Sequence, residues 1–227
     1  MLFAGCNKSP IDRTASAAGG GTGAFGTAPA YVIFSSELIS GGGAFEYPGA
    51  EGQTLIFSDT SNPISHRSIR YSWTGEPVAG QHNFAGFDLM HTPTQATYTS
   101  TIGRDLRQAG YTKVKFFARG SLSTNTLVKI EVADDGNTGT VDLSCVSLSG
   151  SGTLDDGVNP GSNGCGRMDT LTSDWKQFTI PIVSPNIALS GVKDFFKATF
   201  VFNDPFIGNL APGQGGIVYI DQIQYEP

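Results

Sequence analysis

Charged side chains are scarce in this chain of 227 residues: 14 Lys and Arg and 20 Asp and Glu make up 15% of it, against roughly 25% in an average soluble protein. Coiled coils and helical bundles draw on Glu, Lys, Ala and Leu in quantity, so both are excluded. Cations are the minority, which leaves a formal net charge of −6 and a pI near 4.9. Holding a polyanion takes a basic patch that neutralises phosphates; none is present, so nucleic acid is not an expected partner. No run approaches the ~20 apolar residues of a membrane-spanning helix. Histidine is rare too. His66, His82 and His91 stand too far apart to read as a local metal site, and neither His-Glu-x-x-His nor Gly-x-Ser-x-Gly occurs. The adjacent carboxylates Asp134-Asp135 and Asp155-Asp156 lie in glycine loops, where solvated turns account for them. A non-catalytic protein is therefore expected.

What the chain has in quantity is glycine, 30 residues, and phenylalanine, 15 residues, with 39% hydrophobic residues in all. That is enough to bury a core, and the length suits a single β-sandwich. From Tyr31 onward, short β-branched and aromatic runs alternate with Gly, Pro, Asn and Ser, a spacing that predicts an all-β fold. Strands are predicted over 31–35, 54–58, 68–74, 84–90, 97–101, 113–119, 127–133, 140–147, 176–183, 195–202 and 217–225, with one helical turn over 104–109 stopped by Gly110. Period-2 alternation assigns faces. Val114, Phe116 and Ala118 point inward, as do Val128, Ile130 and Val132, then Phe178, Ile180 and Ile182, then Phe196, Ala198, Phe200 and Phe202. Each of these strands keeps one wet face, as antiparallel sheets do. If the strands share a sheet, that face collects Phe117, Arg119, Lys129, Glu131 and Gln177. In the last strand Val218 and Ile220 keep one phase and Ile223 and Tyr225 the other. A β-bulge around Asp221-Gln222 returns both pairs to the core and re-aims Asp221.

The opening residues Met1-Leu2-Phe3-Ala4-Gly5-Cys6 resemble the end of a bacterial lipoprotein signal, which implies Cys6 as a lipid-bearing N-terminus. Residues 7–29, rich in Gly, Ala and Ser, read as a flexible tether. The chain thus divides into a signal remnant over 1–5, a tether over 6–29 and a domain over 30–227. With Cys6 assigned to lipid, Cys145 and Cys165 remain as an even pair around a polar loop. A disulfide between them, worth about 3 kcal/mol, is predicted. Two buried free thiols are an alternative, and a metal pair a poorer one. The lipobox and the cysteine count both point outside the cytoplasm, to the cell surface or periplasm.

Three stretches resemble the jelly-roll carbohydrate-binding modules of bacterial polysaccharide-degrading enzymes, members of the galactose-binding-like sandwich group. They are residues 110–120 around Lys113-Val114-Lys115-Phe116-Phe117-Ala118-Arg119, residues 171–181 around Ser173-Asp174-Trp175-Lys176, and residues 216–225 with Tyr219-Ile220-Asp221. The resemblance covers about residues 30–227 and implies an antiparallel two-sheet β-sandwich. It also implies one structural calcium between the first and last strands, held by Asp221 and Glu37. It further implies a glycan bound by a ring with polar partners, for which Phe117 is the ring and Arg119, Lys129, Glu131 and Gln177 are the polar groups. Lys129 and Glu131 read equally as a surface salt pair. The expected function is a non-catalytic carbohydrate-binding module of a bacterial lipoprotein, with a polysaccharide and, through Cys6, a membrane as partners. An envelope assembly protein using the sandwich for protein contacts is the alternative, and a glycan-active enzyme a minor one.

Overall fold

The computed structural model describes residues 29–47, 52–74, 84–93, 103–104, 106, 110–122, 126–133, 144–149, 168–182, 191–202 and 215–227. Cys6, the tether up to residue 28, Cys165, the side chain of Cys145 and the strand expected over 97–101 lie outside the described residues.

Twelve strands are described: β1 (Tyr31–Phe34), β2 (Gly43–Tyr47), β3 (Thr54–Asp59), β4 (Ser68–Trp73), β5 (Phe84–Met90), β6 (Lys113–Ser121), β7 (Thr126–Val132), β8 (Ser144–Ser149), β9 (Met168–Thr170), β10 (Lys176–Pro181), β11 (Asp194–Phe202) and β12 (Gly216–Glu226). They form two six-stranded sheets. Sheet A has the order β10-β6-β12-β4-β3 with β1 also on β12, and sheet B the order β2-β5-β11-β7-β8-β9. The all-β, two-sheet reading holds. Pairing is antiparallel throughout except for the short parallel contact of β8 with β9 at one edge of sheet B. β2 and β9 were not expected from the sequence. The anticipated helical turn over 104–109 falls mostly outside the described residues; at its first position Arg104 bridges Val192 in antiparallel fashion, with backbone bonds of 2.8 and 3.0 Å.

The inward rows read from alternation meet between the sheets. Val114, Phe116, Ala118, Val128, Ile130, Val132, Phe178, Ile180, Phe196, Ala198 and Phe200 are all buried. Aromatic pairs join the layers: Tyr71 stacks on Phe200 at 4.3 Å and 10°, and Phe116 meets Phe196 edge-on at 5.2 Å. Each such pair contributes about 0.5–1.5 kcal/mol beyond its burial.

The kink in β12 is present. Its register against β6 shifts between Asp221 and Gln224, Gln222 takes φ +49°, and Val218, Ile220, Ile223 and Tyr225 are all buried. The kink also marks a change of partner along one edge: Gly216–Ile220 pair with β4, whereas Ile223–Tyr225 pair with β1. Past it, the Tyr225 hydroxyl crosses to the other layer, donating to the Phe195 carbonyl at 2.8 Å and accepting the Ala133 N–H at 3.2 Å.

Candidate functional site

The five residues expected to share one wet face are split between the two sheets. Phe117, Arg119 and Gln177 stand on the outer side of sheet A, where Gln177 pairs with Phe117 across β10 and β6. Lys129 and Glu131 stand on the outer side of sheet B, on β7. The physical reason is that β6 and β7, though consecutive and alike in alternation, belong to different layers. One binding face built from all five does not exist.

On sheet B the outward residues fall into transverse rows. Phe45 (β2) opposes Asp88 (β5), which opposes Lys197 (β11), which opposes Glu131 (β7). In the next row Tyr47, Gly86, Thr199 and Lys129 follow in the same strand order. Phe84 stands two residues beyond Gly86 on the same face of β5. Three half-buried rings therefore line one side of the face: Phe45 and Tyr47 have centroids 5.8 Å apart, and Tyr47 and Phe84 meet edge-on at 6.2 Å. A polar strip runs beside them. The Tyr47 hydroxyl donates to Asp88 Oδ1 at 2.7 Å. Lys129 Nζ lies 2.7 Å from Glu131 Oε1, and Lys197 Nζ lies 4.0 Å from Glu131 Oε2.

These polar groups are held in place. Glu131 is only 4% exposed and is flanked by two lysines of opposite charge. Burial, and then the charge of Asp88, push the Tyr47 hydroxyl well above the ordinary tyrosine range, so it stays a neutral donor. Gly86 gives the Tyr47 ring its place, because a Cβ there would stand 2.7 Å from Tyr47 Cε2 and 2.1 Å from the Ala198 carbonyl oxygen. Rings beside fixed donors and acceptors can cover the apolar face of a sugar while pairing its hydroxyls. Lys197 and Thr199 follow from the sequence alternation as the outward neighbours of Phe196, Ala198 and Phe200, whereas Phe45 and Tyr47 were not expected to belong to a strand. Their one sign was the alternation Phe45-Glu46-Tyr47, one residue after a glycine run.

Sheet A presents a different surface. The loop joining β3 to β4 lies over its outer side. Arg119 stacks between two rings, 4.0 Å from the Tyr219 centroid and 5.1 Å from that of Trp175, and donates to the Ser61 carbonyl at 2.6 Å. Trp175 Nε1 donates to the Asn62 carbonyl at 2.8 Å. Asp221, fully buried, has both carboxylate oxygens engaged. Oδ2 accepts the N–H groups of Ile64 and Ser65 at 2.9 Å each, and Oδ1 accepts the Ser65 hydroxyl at 2.8 Å and the Gln222 N–H at 2.7 Å. Calcium asks for oxygen lone pairs, whereas four hydrogens point at this carboxylate. Glu37 is exposed to solvent. Among the described residues no group of three or more His, Cys, Asp or Glu is gathered for a metal. Asp221 and Glu37 do not fit the ion that the family resemblance implies.

No protein-family model and no curated protein sequence matches the chain. Among solved structures it is similar to the family 11 carbohydrate-binding module of a cellulosomal cellulase of Clostridium thermocellum, with 12% identity over 88% of this chain and 96% of that one, at a TM-score of 0.45. It is similar to the family 30 carbohydrate-binding module of another cellulosomal cellulase of Clostridium thermocellum, with 13% identity over 87% and 96% of the two chains and a TM-score of 0.46. A third likeness, to TmCBM61 in complex with β-1,4-galactotriose, has 14% identity over 83% and 90% of the chains and a TM-score of 0.36.

Proposed function

We propose that this chain is a non-catalytic carbohydrate-binding domain whose ligand lies along the outer face of sheet B. The observation that carries the reading is the three-ring side formed by Phe45, Tyr47 and Phe84 next to Asp88, Lys197, Thr199, Lys129 and Glu131, all positioned by strands. Rings anchored on a rigid sheet lose little freedom on binding, and the adjacent charges are already oriented by one another. The described residues expose two large apolar side chains, Val32 and Ile64, so a protein-docking role has no patch there to rest on.

The test is native gel retardation in a panel of soluble neutral and uronate polysaccharides. At least one is expected to slow the chain, and Tyr47→Ala is expected to weaken that binding about tenfold or more, equivalent to about 1.4 kcal/mol. No retardation by any glycan, or equal retardation of the variant, would remove this role. We extend the proposal to the context: Cys6 carries lipid, residues 6–29 hold the domain off a bacterial envelope membrane, and Cys145 and Cys165 are bridged. Intact-mass measurement of membrane-extracted protein, with and without reductant, would detect both modifications.

A further inference from the structure

We infer that the β3–β4 loop is a carboxylate-anchored strap that ties the turn after the first strand to the last strand, and that this tie needs no metal ion. A calcium in a sandwich of this kind would have to join those same two places, around residues 36–37 and Asp221. Here consecutive residues of one loop reach both. The Ile64 and Ser65 N–H groups and the Ser65 hydroxyl bind Asp221 on β12, and the next N–H, that of His66, donates to Ser36 Oγ at 3.2 Å just beyond β1. The Asp221 carboxylate is thereby compensated by oriented dipoles, as at a helix N-terminus, and charge-assisted bonds of this type are the stronger class.

Two further anchors come from other strands of sheet A. Arg119 of β6 holds the Ser61 carbonyl and Trp175, just ahead of β10, holds the Asn62 carbonyl. The loop accommodates them by its own shape: Ser61 N–H folds back to Asp59 Oδ1 at 2.9 Å, and Asn62 adopts φ +61°, a left-handed conformation that Asn tolerates better than most residues. Because Arg119 is committed to the strap and to two rings, this side of the sandwich is closed to the ligand role that the family resemblance implies for it. The β-bulge is what makes the arrangement possible, since Gln222 at φ +49° turns its own N–H onto Asp221 Oδ1.

The experiment is thermal unfolding of the full chain in EDTA and in millimolar calcium chloride, for the unaltered protein and for Asp221→Asn. The unaltered protein is expected to melt at temperatures within about 1 °C of each other in the two media. Asp221→Asn must turn an amide NH2 toward either the Ile64 and Ser65 N–H groups or the Gln222 N–H and the Ser65 hydroxyl, of which only the hydroxyl can reverse its role by donating to the Arg67 carbonyl instead, so its Tm is expected to fall by about 3–8 °C, equally in both media. A calcium-induced rise of several degrees that Asp221→Asn abolishes would overturn the inference, as would an unchanged Tm for that variant. Should Asp221→Asn not fold, Ser65→Ala removes the hydroxyl donor alone and is expected to lower Tm by about 2–4 °C in both media. Calorimetric titration of the unaltered chain with calcium is an independent measurement: no heat of binding is expected, and a saturable heat would count against the strap.

Discussion

Removing one oxygen, in Tyr225→Phe, isolates the hydrogen-bonded tie between the two layers. Tyr225 belongs to β12 of sheet A, while its partners, the Phe195 carbonyl and the Ala133 N–H, belong to β11 and to the residue just past β7 in sheet B. The site is dry: Tyr225 is 0% and Phe195 and Ala133 are 1% exposed. Phenylalanine fills the same volume, so no cavity forms and the change tests hydrogen bonding alone. One buried carbonyl and one buried N–H lose their partner, each at a cost of about 1–3 kcal/mol. The 3.2 Å bond is the weaker of the two, which sets the total at about 2–4 kcal/mol. For a domain of this size each kcal/mol shifts the melting temperature about 2–4 °C, so a fall of about 4–16 °C is expected by scanning calorimetry. Urea unfolding followed by tryptophan fluorescence should show a lower midpoint with an unchanged slope. Tyr111→Phe is the control, since its hydroxyl makes only an exposed 3.3 Å bond to the Pro29 carbonyl; it should cost less than about 1 °C. A loss below about 2 °C for Tyr225→Phe, or one no larger than the control, would refute the clasp.

Alkali should act through the buried tyrosines. Burial raises the Tyr225 and Tyr71 hydroxyls far above their ordinary range. The stability this confers is therefore complete below the unfolded value near 10 and falls as pH rises past it, by about 1.4 kcal/mol per pH unit for each residue. Urea midpoints at pH 8, 10 and 11 should show that fall, Tyr225→Phe should have a shallower one, and a flat profile would contradict the assignment. Arg119→Ala loses two ring contacts and the bond to Ser61, so Tm should drop by a few degrees while glycan retardation stays as it was; weaker retardation would place the ligand on sheet A instead. Glu131→Ala removes the carboxylate that lies between Lys129 and Lys197 on the glycan face. It is expected to weaken retardation several-fold, measured in the same gels, whereas an unaltered mobility would remove Glu131 from the site.

The inner rows were legible in the residues themselves, because a strand's period of two is written into its own sequence: Phe116, Ile130, Ile180 and Phe200 needed no partner to be placed. The kink at Asp221-Gln222 was legible for the same reason, since a phase change between two apolar pairs has few other solutions. β2 escaped notice because a five-residue edge strand after glycines carries little periodicity of its own. Phe45 and Tyr47 acquire a face only through pairing with β5.

Sheet membership is a different kind of quantity. Neighbouring strands in a sequence lie beside each other more often than not, yet β6 and β7, separated by only four residues, go to opposite layers, and that alone divides Phe117, Arg119 and Gln177 from Lys129 and Glu131. Three of the four donors around Asp221 come from 156 or 157 positions away, beyond what any local pattern encodes. Composition and alternation thus determined an all-β chain, its buried rows and its bulge, because those follow from short-range sterics and solvent exclusion. Which outward residues meet, and whether a buried carboxylate faces hydrogens or a cation, was decided only when long-range pairing brought distant segments together.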